Sequence, residues 1–180
     1  MTRYLALLGS INIGGNRIKM ADLRAALSAG GLRDVQTIAA SGNVVLSSDE
    51  APEALAQEIS HIIREAFGFD SLVTLRSHSE VRSAVTDNPY HGDGTDQMVH
   101  SIFLTAQPKK EDFDGLVAEH QARGAERLAL GDRVMYLDYV HGVGVSDLTG
   151  RFIERRLGCR GTARNMRSLK RILEKMEETA

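Results

Sequence analysis

The sequence predicts an α+β fold in which the element order β-α-β-β-α-β occurs twice. Short apolar runs closed by turn residues alternate with longer segments whose apolar residues recur every three or four positions, as in strands and helices respectively. A polar loop, Asn88 to Asp96, divides the chain near its middle, and the same order restarts after it. We therefore expect two ferredoxin-like halves, 1–92 and 93–180, each with helices packed on an antiparallel sheet, plus a C-terminal helix.

The first half opens with a strand over Arg3–Leu8, which is short, apolar and closed by Gly9. A helix over Lys19–Ser28 ends before two glycines, and a hairpin of two strands then turns at Ser41-Gly42-Asn43. The remaining elements are a helix with caps in Ser47-Ser48-Asp49, Pro52 in its first turn and Gly68 as its stop, a strand over Leu72–Arg76, and a short helix opened by the capping-box spacing of Ser77-His78-Ser79-Glu80.

The second half shows the same order, although no sequence identity between the halves is evident. The duplication is therefore predicted from element order alone. The expected elements are a strand over Met98–Leu104, a helix over Lys109–Ala122, strands over Glu126–Leu130 and Arg133–Tyr139 around a two-residue turn at Gly131-Asp132, a helix capped by Ser146 and stopped by Gly158, and a last helix after Arg164-Asn165.

The composition is that of an ordinary globular protein, with 42% hydrophobic and 26% charged residues among 180. No apolar run approaches the ~20 residues of a membrane helix, and the first residues lack a signal-peptide layout. Cys159 is the only cysteine, which excludes an intrachain disulfide and argues against a zinc cage. We expect a cytoplasmic protein with no membrane partner and no cofactor.

The net charge of −2 conceals a strongly basic stretch. Residues 151–171 contain eight basic residues and one acidic residue, Glu154, so this stretch carries +7. It can face nucleic acid, an acidic protein or the acidic remainder of its own fold. RNA binding on an open sheet would require exposed aromatic residues on the strands. The candidates for that role are Tyr4, Phe103, Tyr136 and Tyr139, and none lies in an RNP-like motif.

The loop after the first strand, Gly9 to Asn16, contains three glycines and two asparagines. Its glycine spacing does not match the dinucleotide fingerprint, and it lacks the Gly-Lys-Ser/Thr of a P-loop. Polar, glycine-rich backbone between a strand and a helix can still present amide groups to an anion, which makes Asn12, Gly14 and Gly15 candidate ligand-binding residues. The alternative is that the glycines and Asn12 only shape the turn.

Two further segments supply candidate ligand-binding residues. Ser41 and Asn43 lie in the hairpin turn, which also explains them structurally. Arg164 and Asn165 precede the last helix, where they either meet an anion or, in the case of Asn165, simply cap the helix. The first hypothesis is a protein that binds a small anionic or polar ligand at a site shared by the first loop and Thr162–Asn165. The alternative is a nucleic-acid or protein interaction module that uses the basic 151–171 face.

No pattern in the sequence identifies an enzyme or a metal site. The six histidines form no i,i+4 pair and no His-x-His spacing, so no metal ligand is predicted. No base lies near Ser41 in sequence to make it a nucleophile. Whether the chain catalyses a reaction is therefore left open by the residues.

Motifs spread over nearly the whole chain resemble those of a bacterial family of uncharacterised proteins, domain-of-unknown-function family 1697. The resemblance implies a duplicated ferredoxin-like fold and no assigned activity. The matching motifs are Ile11-Asn12-Ile13-Gly14-Gly15, Ser41-Gly42-Asn43-Val44-Val45, Phe67-Gly68-Phe69, Asn88-Pro89-Tyr90, Tyr136-Leu137-Asp138-Tyr139, Leu148-Thr149, Leu157-Gly158 and Thr162-Ala163-Arg164-Asn165.

The chain departs from the family pattern at positions that are usually cationic or aromatic. Where the family has an arginine before Gly-Ile-Asn, this chain reads Leu8-Gly9-Ser10, and the family's Ser-Lys-Leu-Thr becomes Ser146-Asp147-Leu148-Thr149. The aromatic residue that usually follows Arg-Asn is Met166 here. If the family binds an anion through those two cations, the resemblance implies weaker binding by this member.

Overall fold

The structure is a computed structural model that describes residues 1–178, and it confirms the predicted fold class. The strands are β1 (Thr2–Leu8), β2 (Arg33–Ile38), β3 (Asn43–Ser48), β4 (Val73–Ser77), β5 (Val99–Leu104), β6 (Arg127–Leu130), β7 (Val134–Asp138) and β8 (Gly161–Asn165). The first four-stranded antiparallel sheet has the order β2-β3-β1-β4, and the second has the order β6-β7-β5-β8.

Each half places its helices as the β-α-β-β-α-β order requires, and a further helix follows the last strand of each half. Among the described residues no helix is long and apolar enough to cross a membrane. The helices are α1 (Met20–Ala29), α2 (Pro52–Phe67), α3 (His78–Thr86), α4 (Lys110–His120), α5 (Gly150–Leu157) and α6 (Met166–Glu178).

The chain divides into two compact units: Met1–Arg82 together with the end of α6 from Ile172, and Ser83–Arg171. In the first unit, alternate residues of β1 such as Ala6 and Leu8 pack with the apolar stripes of α1 and α2. In the second unit, Ile102 and Leu104 of β5 pack in the same way with residues of α4 and α5.

Of the eight strands that the structure describes, β8 is the one that the sequence pattern did not predict. Its residues Gly161 to Asn165 pair antiparallel with β5 over its whole length. The segment lacks the alternation of apolar and polar residues because the inward positions are held by Thr162 and Arg164, which are 6% and 9% exposed. The strand completes the second β-α-β-β-α-β unit.

The last strands of the two halves share a Thr-x-Arg sequence, so the expectation of no identity is wrong there. Arg76 of β4 lies opposite Leu5 of β1, and Arg164 of β8 lies opposite Ser101 of β5. Threonine precedes each arginine by two residues, at Thr74 and Thr162, and both hydroxyls are buried. The repeat indicates that β4 and β8 are equivalent at these two positions as well as in their place in the element order.

The caps and turns confirm some local predictions and correct others. The capping box is confirmed, because the Ser77 amide donates to Glu80 at 2.8 Å and the Glu80 amide donates to the Ser77 hydroxyl at 3.3 Å. Gly68 and Gly158 end α2 and α5 in the left-handed conformation, as predicted.

Three local predictions are wrong. Helix α5 is capped by Thr149, whose hydroxyl accepts from the Phe152 amide, and Ser146 lies outside it. Helix α2 begins at Pro52 after the N-cap residue Ala51, with no side-chain cap, although Ser47-Ser48-Asp49 was predicted to supply one. The β6–β7 turn lies at Asp132-Arg133, one residue later than predicted, because the Gly131 amide pairs with the Val134 carbonyl.

Candidate functional site

The loop after β1 is joined to the β2–β3 hairpin by backbone contact. The Leu8 amide donates to the Gly42 carbonyl at 2.8 Å. Gly42 has φ of 76°, and a Cβ atom placed there would lie 2.9 Å from the Leu8 carbonyl oxygen. Only glycine accommodates both the positive φ and this close approach, so the hairpin turn holds the end of β1 in place.

The side chain of Asn12 braces the loop from within. Its Nδ2 donates to the Ala40 carbonyl at 2.7 Å, and its Oδ1 accepts from the Ile18 amide at 2.9 Å. Its own amide donates to the Asn16 carbonyl at 2.7 Å. Both ends of the carboxamide are therefore engaged by the backbone, which corresponds to the structural interpretation of this residue.

The hairpin residues Ser41 and Asn43 also bond locally. Asn43 is 1% exposed, and its Nδ2 donates to the Ile38 carbonyl at 3.1 Å and to the Ser41 hydroxyl at 2.9 Å. These bonds hold the turn beside the first loop. The first unit thus brings Asn12, Ser41 and Asn43 together as a scaffold.

The backbone of the loop alternates in conformation. Ser10, Asn12 and Gly14 have φ of 60°, 58° and 65°, while Ile11 and Ile13 do not have positive φ. Alternation of this kind turns successive amide groups towards one side, which forms the concavity known as a nest. In the described chain, the amides of Ile13, Gly14 and Gly15 donate to no protein acceptor.

The tip of this loop is open, and two exposed cations follow it in the chain. A Cβ atom built on Gly14 or Gly15 would meet nothing within 4 Å. Arg17 and Lys19 follow at once and are exposed, and residues 9–21 contain no acidic side chain. Neither cation forms an ion pair within residues 1–178, so their field is not neutralised locally.

Arg164 and Asn165 lie in the second unit, on β8 and at its end. Arg164 is 9% exposed, its Nη1 donates to the Ala163 carbonyl at 2.8 Å, and burial lowers its pKa to about 10. It remains a cation at neutral pH. Asn165 caps α6, because its Oδ1 accepts from the Ser168 amide at 2.9 Å. A part for either residue in ligand binding stays a prediction.

A buried polar cluster in the second unit was not singled out by the sequence. His120, which is 2% exposed, places its Nε2 2.9 Å from Glu126 Oε2, and Ser146 donates to the other carboxylate oxygen. Burial raises the pKa of Glu126, but the Ser146 hydrogen bond and His120 outweigh it and leave that pKa below its ordinary 4.5. Because the glutamate lies between serine and histidine, the order differs from a nucleophilic triad, in which histidine is central.

Two arginines of the basic stretch and Arg123 gather around one aromatic ring. The guanidinium carbons of Arg123, Arg155 and Arg156 lie 5.6, 5.8 and 5.9 Å from the centre of the Phe152 ring. Arg123 and Arg156 both contact Glu119, whereas Arg155 has no carboxylate partner in the described part of the chain. The cluster therefore presents uncompensated positive charge.

The described residues contain no group of three or more His, Cys, Asp or Glu side chains placed to hold a metal ion. No sequence among the curated proteins matches the chain. Among solved structures, the conserved bacterial protein SP0830 from Streptococcus pneumoniae has a similar fold, with a TM-score of 0.73 and 22% sequence identity over 98% of this chain and 99% of that one. The sequence pattern of a family described as proteins of unknown function, DUF1697, matches residues 1–136, and the chain belongs to that family.

Proposed function

We propose that the protein binds a small anion, such as a phosphate ester or a carboxylate, at the loop between β1 and α1. The observation that supports the proposal is the run of three adjacent amides, at Ile13, Gly14 and Gly15, that donate to no protein acceptor within the described residues 1–178. Amide groups arranged in this way complement the oxygens of an anion without any charged side chain in the cradle itself.

The scaffold around the loop supports the same function. Asn12 and Gly42 fix the two sides of the loop, so its conformation is set before a ligand arrives. Preorganisation reduces the entropy that binding must overcome. Asn12 thus contributes by holding the backbone rather than by contacting the ligand.

The positive charge next to the loop favours a ligand with negative charge. Arg17 and Lys19 are exposed cations in a segment without acids, and they raise the local concentration of anions. This compensates in part for the arginine that the family usually carries before Gly-Ile-Asn, where this chain has Leu8-Gly9-Ser10. Binding is accordingly expected to weaken as salt is added.

A thermal-shift screen tests the proposal. The screen compares the uncharged sugar with four anions: inorganic phosphate, a nucleoside monophosphate, a sugar phosphate and a dicarboxylate. A bound anion at 100-fold excess over its Kd stabilises the folded chain by about 2.7 kcal/mol. The R17A/K19A variant should show a smaller thermal shift with anions. Arg24→Ala should show the native shift, because it removes an exposed cation that lies on α1, outside the loop. No response to any anion, or an equal loss in both variants, would contradict the function.

A further inference from the structure

A second surface, in the other unit, combines exposed apolar side chains with uncompensated positive charge. The valine loop, residues 140–145 between β7 and α5, exposes Val140, Val143 and Val145 by 40%, 52% and 75%. The arginine cluster, Arg123, Arg155 and Arg156 around Phe152, lies in the same unit. A hydrogen bond links the chain next to each of them, because Ser146, which directly follows the valine loop, donates to Glu126, three residues after Arg123.

The valine loop is held in shape at both ends. The Val140 amide donates to the Asp138 carboxylate at 3.0 Å, and Ser146 both contacts Glu126 and accepts from the Leu148 amide at 3.1 Å. Val140 keeps φ of 58°, a conformation that a β-branched residue rarely adopts. Exposed large hydrophobic residues elsewhere in the described chain are confined to Met1 and Ile13, so the apolar surface is concentrated here.

We propose that this composite surface binds an acidic protein segment that carries apolar side chains. Arginine is enriched in the cores of protein interfaces, and its planar guanidinium binds carboxylates in a bidentate manner. The Phe152 ring orients the three arginines, and Arg155 has no competing carboxylate in the described residues. The valines supply the apolar contact that charge alone does not provide.

The chemistry of the surface favours a protein over nucleic acid or lipid. The aromatic residues expected on strands, Tyr4, Phe103, Tyr136 and Tyr139, are at most 8% exposed, so none of these rings can stack on a base. The valine loop carries no exposed Trp, Phe or Leu, which are the residues that anchor proteins in a bilayer interface. An acidic, apolar segment complements both parts of the surface.

Selection from a display library of random 12-residue peptides on the full chain tests this inference. We expect enriched peptides to combine Asp or Glu with Leu, Ile or Phe. A synthetic copy should bind V143S/V145S and R155A/R156A at least tenfold more weakly than the native chain, and Arg24→Ala with unchanged affinity. Equal melting temperatures of the variants would show that they fold.

Four outcomes would overturn the inference. The first two are a selection that enriches no peptide and a selection whose enriched peptides lack acidic residues. The third is loss of peptide binding in only one of the two double variants. The fourth is that the native chain binds single-stranded RNA or phosphatidylserine vesicles instead of peptide, and that the double variants lose this binding. The loop at residues 9–16 is unchanged in every variant, so this test is independent of anion binding there.

Discussion

Arg76 and Arg164 occupy the same position in the two sheets. Each lies on the last strand of its half opposite a first-strand residue, and each donates Nη1 to the carbonyl of the preceding residue at 2.8 Å. In both halves the threonine two residues earlier carries a buried hydroxyl that has no hydrogen-bond partner among residues 1–178. The repeated sequence therefore has the same local structure twice.

Replacing Thr74 or Thr162 by valine should raise the free energy of unfolding by about 1 kcal/mol each. A buried hydroxyl without a partner costs free energy, and valine keeps the β-branched shape without it. Urea denaturation of both variants measures the change. If either substitution destabilises the chain by a similar amount, that hydroxyl has a partner and the equivalence of the two sites fails.

Asn12→Ala should lower the free energy of unfolding by about 1–3 kcal/mol, because two hydrogen bonds of its carboxamide are lost. Asn16→Ala is the matched control, since the Asn16 side chain forms no hydrogen bond among the described residues. Denaturant unfolding compares the two variants. Equal effects would show that Asn12 does not brace the loop.

Gly42→Ala should destabilise the chain more than Gly14→Ala. Both positions have positive φ, which costs ~1–2 kcal/mol for alanine, but only at Gly42 would the new Cβ atom press on backbone, 2.9 Å from the Leu8 oxygen. Melting temperatures of the two variants provide the comparison. A larger loss for Gly14→Ala would mean that the tip of the loop is not open.

Glu126 should make the free energy of unfolding fall as the pH is lowered into the acid range. Because its pKa is lower in the folded chain than the ordinary 4.5, its carboxylate contributes stability above that pH, and the contribution disappears as the pH falls through the folded-state value. E126Q should therefore flatten the fall in stability below about pH 5. Glu111→Gln, at a site 78% exposed, should not. An unchanged pH profile for E126Q would contradict the role of the buried cluster.

The sequence was sufficient for the fold wherever apolar periodicity decided the structure. Helix α2 and strand β1 follow directly from it. It failed for β8, because the inward positions there carry Thr162 and Arg164 in place of apolar residues. It also placed the cap of α5 at Ser146, because Ser146 and Thr149 are both good capping residues and only the structure distinguishes them.

The candidate site was predictable only in outline. Glycines and asparagines located the loop at residues 9–16, but sequence cannot show whether a carboxamide faces ligand or backbone. Asn12 faces backbone, whereas the three adjacent amides at residues 13–15 depend on alternating φ values that no sequence pattern displays. In the buried cluster, Ser146 contacts Glu126, and Glu126 contacts His120. Both partners lie 20 or more positions before Ser146 in the chain, and no sequence pattern links them to it.

Anion binding at the loop is tested most directly by amide chemical shifts in an NMR titration of the full ¹⁵N-labelled chain with inorganic phosphate. The proposal predicts saturable shifts concentrated at the amides of Ile13, Gly14 and Gly15, weakened in the R17A/K19A variant. If these three amides stay unchanged while phosphate shifts others, or if nothing shifts at all, the loop does not bind the anion.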